Sequence, residues 1–289
     1  MEKRTIILLS APRCGSTAVF RIFQKHPDVG ICDEDPTVFN CEPHFWSLAE
    51  KAIAGKPEKL EKKLHQTLPS ISLPEKYTEK TVFALWDSIL EAQGPIVFDK
   101  SPYYLGNRRA MELLHRYIQR GNVVRMFAMI RDPRDAITSQ YELWASQFKI
   151  ASPATRERIW LDQYAHLEEL QMRIGYIPLF RYEDLAAAPA CYVPMIFKHC
   201  GIRDFPYTYK HIMPVSVGRK SASLFPKVRR WKISESLKKH AEKYGYMYSE
   251  DKVMKRMVRF AVMFPGNVTR LISSKMSAHR IRRKIKNAG

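Results

Sequence analysis

The chain has 289 residues, too long for a disulfide mini-protein and long enough for one large domain or two small ones. With 45% hydrophobic and 27% charged residues it is not disordered throughout, and no apolar run reaches the roughly 20 residues of a membrane-spanning helix. The net charge is +19; residues 252–289 supply eleven Lys/Arg and no Asp/Glu, leaving +8 on residues 1–251, and both parts favour anionic ligands or surfaces.

Pro12 and Arg13 interrupt the first apolar run, so a cleaved signal peptide is not expected. The five cysteines form no CxxC and cannot all pair with one another. A reduced, cytoplasmic setting is the simpler expectation. Ile6 to Ser10 reads as a buried strand entering a tight loop, Ala11 to Gly15. Ala18, Val19, Ile22 and Phe23 then recur at helical spacing until His26-Pro27. Val29 to Cys32 is a second strand, and the lysine-rich stretch Glu50 to Lys63 a helical insertion over the sheet. Ile96 to Phe98 is a third strand, followed by a helix from about Leu105 to Ile118. Val123 to Ile130 is a fourth, with a helix from about Ala136, and Ile177 to Phe180 a fifth. Strands alternating with helices predict an α/β fold: a parallel sheet between two helical layers, with ligands bound beyond the carboxyl ends of the strands. No internal repeat appears, and no boundary is expected before about residue 250.

The loop Arg13-Cys14-Gly15-Ser16-Thr17, between a strand and a helix, has the layout of an anion cradle. Arg13 adds a charged fork, Ser16 and Thr17 hydroxyl donors. An ordinary strand-to-helix turn would share this pattern. It is not a Walker A loop, since Ser16 stands where the lysine belongs and Ser10 where the first glycine does. A phosphatase C-x5-R cradle fails as well, with Phe20 in the arginine's place. After the fourth strand, Arg131-Asp132-Pro133-Arg134-Asp135 leads to Ser139, near the positive end of the next helix. An arginine and a serine so placed could hold a second phosphate. Asp132 or Asp135 as N-cap accounts for the acids but gives no reason for Arg131 at the strand tip.

These motifs resemble those of the sulfotransferases that use 3′-phosphoadenosine 5′-phosphosulfate (PAPS). Arg13 to Thr17 is similar to that family's 5′-phosphosulfate loop, and Arg131 with Ser139 to its 3′-phosphate site. Arg181 to Leu185 resembles a family segment near the adenine, which implies Tyr182 in that pocket. Gly218-Arg219-Lys220-Ser221, Trp231 and Gly245-Tyr246 resemble its C-terminal loop and closing helix, with Arg219 and Lys220 folding over the 3′-phosphate. The resemblance spans about residues 5–250 and implies a P-loop, nucleotide-kinase-like sulfotransferase fold. PAPS would be the sulfuryl donor, 3′-phosphoadenosine 5′-phosphate (PAP) the product, and no metal is required.

Lys100, in Asp99-Lys100-Ser101-Pro102-Tyr103-Tyr104, matches a K-[ST]-P-x-Y segment of heparan-type sulfotransferases whose lysine lies at the sulfuryl group. A surface lysine in a strand-end turn is the plain alternative. Glu42-Pro43-His44-Phe45-Trp46 looks like the E-x-H-F-F segment of glucosaminyl 3-O-sulfotransferases, although Trp46 departs from it. The resemblance implies Glu42 as general base and His44 as its orienting partner or an acceptor contact, with Arg13 and Lys100 stabilising charge. Asp33 and Glu34 are rival bases, and capping of the following helix would also explain Glu42 and His44.

Residues 251–289 read as a basic amphipathic helical extension to a domain of residues 1–250. Its apolar stripe and basic face suit an anionic bilayer or a polyanionic glycan, or a helix docked on the body. No recognition-helix or zinc pattern points to nucleic acid. The expected function is transfer of a sulfuryl group from PAPS to a carbohydrate or glycolipid hydroxyl. The rivals are a nucleotide or small-molecule kinase of the same fold group, and a membrane- or polyanion-binding protein with a degenerate nucleotide site.

Overall fold

The computed structural model describes residues 3–31, 44–144, 151–205 and 231–248. The strands are β1 (Arg4–Ser10), β2 (Gly30–Ile31), β3 (Ile96–Ser101), β4 (Val124–Ile130) and β5 (Leu179–Arg181). They form one sheet in the order β2-β3-β1-β4-β5, every pair parallel. Consecutive parallel strands need crossovers, and helices supply them: α1 (Ser16–Gln24), α2 (Phe45–Ile53), α3 (Glu58–Thr67), α4 (Glu79–Gln93), α5 (Arg108–Gln119), α6 (Pro133–Trp144), α7 (Pro153–Ile174), α8 (Tyr182–Ala187), α9 (Pro189–Cys200) and α10 (Glu235–Glu242).

β1 lies mid-sheet and is apolar throughout its core because both faces are covered. Ile6 and Leu8 pack with Phe20 and Phe23 of α1, Phe98, Phe127 and Phe197 in one core. Strand alternation turns Thr5 to the other face, where the Trp86 indole of α4 donates to its hydroxyl at 2.8 Å. Trp46, Trp86, Phe83 and Tyr117 form an aromatic cluster there.

The expected parallel α/β sheet is present, with differences at element ends. β3 continues past Phe98 through Asp99, Lys100 and Ser101, all fully buried, so the strand carries its charged residues instead of ending before them. The expected helix from Leu105 begins at Arg108, where Asn107 accepts from Ala110 N at 3.0 Å; a 3₁₀ turn, Tyr104–Gly106, precedes it. The expected 50–63 helix is split into α2 and α3, because the chain turns at Gly55 (φ 83°) and Pro57. The fifth strand, expected over Ile177 to Phe180, runs Leu179–Arg181, and Tyr182 opens α8 directly after it. Two compact units form, Met1–His240 and Ala241–Gly289. In the second, Tyr246 N donates to Ala241 O at 3.1 Å. Residues 251–289 lie outside the described residues.

Candidate active site

β1, β3 and β4 deliver their polar sequences to one edge of the sheet. After Ser10 the chain turns through Arg13 (φ 67°) and Gly15 (φ 95°), both left-handed. Gly15 caps α1, its carbonyl accepting from Ala18 N at 3.0 Å and Val19 N at 3.2 Å, and the amides that open the helix carry the positive end of its dipole. Only glycine fits there: a Cβ on Gly15 would lie 2.2 Å from Tyr182 Cδ2. Cys14 is fully buried, and burial pushes its thiol up to about 11, so it is no thiolate at neutral pH. Tyr164 of α7 donates to Met129 O at 2.8 Å and stands 3.4 Å from Cys14 Sγ and 3.5 Å from Ala11 N.

The β4–α6 loop meets this one. Asp132 is the N-cap of α6, accepting from Arg134 N at 2.9 Å; its own N–H donates to Glu183 Oε1 at 2.9 Å. Arg131 is buried, donates to Arg13 O at 3.0 Å, and lies over the Tyr182 ring with Cζ 4.9 Å from its centre. That stack adds cation–π attraction. Arg13 Nε in turn donates to Ser139 Oγ at 3.1 Å, and Gln140 Nε2 to Pro12 O at 3.3 Å. Thus the arginine of the first loop touches the serine of the second, and the arginine of the second touches the backbone of the first. Ser139 sits on the second turn of α6, as its spacing predicts.

The tip of β3 lies alongside, with Lys100 in register with Leu8 of β1. Lys100 is 1% exposed, and its ammonium is 5.6 Å from the centre of the Phe20 ring of α1. Asp99 and Ser101 alternate to the other face. Asp99 is fully buried; desolvation raises its carboxyl to about 6, opposed by the Tyr104 hydrogen bond and the His44 and Lys100 charges. Tyr104 donates to Asp99 Oδ2 at 2.6 Å, while Oδ1 has no hydrogen-bond partner among the described residues. His44, with φ 51° just before α2, places Nδ1 2.5 Å from Ser101 Oγ, which also accepts from Tyr103 N at 3.1 Å. His44 is the N-cap residue of α2 but makes no side-chain cap bond. The Tyr103 ring lies 5.5 Å from the His44 ring and is 47% exposed.

Residues 5–206 match the sequence profile of the sulfotransferase family. The chain belongs to that family. Among curated proteins there is no match. The fold of this sulfotransferase is similar to that of the sulfotransferase domain of the Synechococcus PCC 7002 olefin synthase: TM-score 0.62 and 16% identity, over 86% of this chain and 96% of that one. The sulfotransferase domain of the curacin biosynthetic pathway gives 0.57 and 13%, over 86% and 99%. A sulfotransferase from Mycobacterium avium gives 0.50 and 13%, over 84% and 76%. The shared architecture is the P-loop-like sulfotransferase fold.

Of the residues singled out from the sequence, Arg13 to Thr17, Arg131, Ser139 and Tyr182 come together at one edge of the sheet, and Lys100 and His44 both attach at the tip of β3. Glu42, its rivals Asp33 and Glu34, and Arg219 and Lys220 lie outside the described residues. Sequence reasoning missed the supports. Tyr164, Gln140 and Glu183 tie the β1–α1 and β4–α6 segments to each other and to α7 and α8. No local pattern marks them, because their partners are distant backbone groups; only Glu183 stood inside a segment already singled out.

Proposed function

We propose that this sulfotransferase moves a sulfuryl group from PAPS to an acceptor hydroxyl of a carbohydrate or glycolipid. The supporting observation is the interlock of the two anion loops, Arg13 Nε on Ser139 Oγ and Arg131 on Arg13 O. A ligand with phosphates at both ends of an adenosine suits such a pair, whereas a nucleotide lacking the 3′-phosphate engages only one member. Bound PAPS supplies the sulfuryl group already attached to a phosphate leaving group.

The residues then have separable tasks. Arg13 and the amides opening α1 hold the 5′ end, where negative charge builds as the S–O bond to the leaving phosphate breaks. Arg131 and Ser139 hold the 3′-phosphate, with Tyr182 beside the adenine and Arg219 and Lys220 closing from the C-terminal loop. Lys100, buried with its ammonium near α1, neutralises charge from the β3 side. Glu42 takes the acceptor proton as the new S–O bond forms, with Asp33 and Glu34 the alternatives. His44, fixed by Ser101, orients that carboxylate or the acceptor. The exposed Tyr103 ring beside it offers a flat apolar shelf of the kind sugar rings pack on. The basic segment 252–286 would bring the enzyme to an anionic surface. A kinase activity lacks its phosphate-binding lysine, since Ser16 occupies that place.

The test is calorimetric titration with PAP, ADP and ATP, followed by incubation with PAPS and a panel of sugar and lipid hydroxyls. PAP should bind tightest, and PAP should accumulate with a sulfated acceptor. Preference for ATP with phosphoryl transfer would overturn the proposal.

A further inference from the structure

One buried carboxyl lies outside the chemistry above. Glu157, on the first turns of α7, is 5% exposed. Its Oε2 accepts from Trp231 Nε1 at 3.2 Å and from Ser234 N at 3.4 Å, and its Oε1 accepts from the Ser234 hydroxyl. Ser234 Oγ also accepts from Leu237 N at 3.1 Å, capping α10. A carboxyl so deeply buried is costly unless donors surround it, and among the described residues its donors come from the segment beginning at Trp231.

The held Trp231 packs on Ile137 and Tyr141 of α6. These are one helical turn apart and share a face; Ser139, midway between them, lies about 200° around the helix from each. The indole therefore supports α6 from behind while Ser139 faces Arg13 at 3.1 Å. Hydrogen bonds weaken steeply with small displacements, so backward drift of α6 would loosen that contact. Tyr141 adds a second tie to α7, its hydroxyl donating to Ala151 O just before the helix.

We infer that Glu157 is a positioning residue for the second anion site: by fastening Trp231 behind α6 it sets where Ser139 stands. The inference rests on the proposed reading of Arg131 and Ser139 as the 3′-phosphate site.

The experiment titrates the full chain with PAP and with adenosine 5′-phosphate, in the wild type and in Glu157→Gln, Trp231→Phe, the double variant and Tyr117→Phe. Glu157→Gln turns one acceptor oxygen into an amide donor facing other donors; PAP affinity should fall about tenfold, the scale of a lost charge-assisted hydrogen bond, with adenosine 5′-phosphate changing less than twofold. Trp231→Phe removes the Nε1 donor together with the five-membered half of the indole, leaving a smaller ring against Ile137 and Tyr141; it should shift the PAP ratio the same way, and the double variant should lose less than the two effects added. Tyr117→Phe, which breaks the 2.6 Å bond to Asp87, should lower the melting temperature without touching the PAP preference. If Glu157→Gln does not fold, Trp231→Phe alone decides. Unchanged PAP preference in the variants, or equal loss for both nucleotides, overturns the role of Glu157. A wild type that does not distinguish the two nucleotides overturns the 3′-phosphate reading and this inference with it.

Discussion

Replacing Gly15 by alanine sets a methyl group 2.2 Å from Tyr182 Cδ2, 2.8 Å from Cε2 and 3.0 Å from Cγ. The backbone there is at φ 95°, outside what an L side chain adopts at ease, which costs about 1–2 kcal/mol. The ring cannot move freely, being buried with the Arg131 guanidinium stacked 4.9 Å away, and overpacking of this kind costs a further 1–3 kcal/mol or so. Gly15→Ala should therefore destabilise the protein by about 2–5 kcal/mol, lowering the melting temperature by roughly 5–15 °C at the scaling for chains of this size. The two contributions separate in a double-mutant cycle followed by urea unfolding. Tyr182→Ala removes the obstacle but leaves the backbone cost, so the added methyl should then cost only about 1–2 kcal/mol. Strict additivity would mean that the Tyr182 ring does not press on the loop, and would refute the close packing of these two segments.

Arg131→Ala should weaken PAP at least tenfold and ADP little, measured by calorimetry, because a charge-assisted phosphate contact is worth about 1.5–3 kcal/mol. Equal losses would count against the site. Asp99 is raised from its ordinary 3.8 to about 6, so the folded protein holds its proton longer than the unfolded chain does. Stability from this group is therefore full below about pH 3.8 and declines as pH rises to about 6, by up to about 3 kcal/mol. Asp99→Asn should flatten that decline and be more stable than the wild type at pH 7; an unaltered urea midpoint between pH 4 and 7 would refute the burial argument. Iodoacetamide at pH 7.5 should modify exposed Cys191 and spare native Cys14 and Cys200, whose thiols burial pushes up, as read by peptide mass spectrometry. Fast labelling of Cys14 would show that the loop opens.

The alternation of strands and helices was legible because buried parallel strands must be apolar runs, and β1 and β4 are the strongest in the chain. The same rule hid the end of β3, since Asp99-Lys100-Ser101 looks like a turn in sequence yet is buried strand in the fold. There burial is offset by the Tyr104 hydroxyl and by opposite charges nearby, contacts that no hydropathy pattern encodes. Loop residues Arg13, Gly15, Arg131 and Ser139 were readable because each motif is local and follows a strand. Their mutual contact was not, since it depends on β1 and β4 being neighbours. α4 and α7 gave no signal that the chain-order reading used. α7 buries one side and exposes Ala154, Arg158 and Asp162 on the other, but the buried side carries Gln163, His166 and Glu157 among its apolar residues, which blurs an amphipathic stripe.

That helix has a consequence for how the enzyme can vary. Over about 14 Å of its axis, Glu157 reaches Trp231, Gln163 reaches the Pro102 carbonyl, Tyr164 reaches the first loop and β4, and His166 reaches the Leu105 carbonyl. One rigid rod thereby indexes four segments that are far apart in the chain. A single inserted residue would rotate half of these anchors by about 100° and unseat them together, so α7 tolerates substitution far better than a change of length.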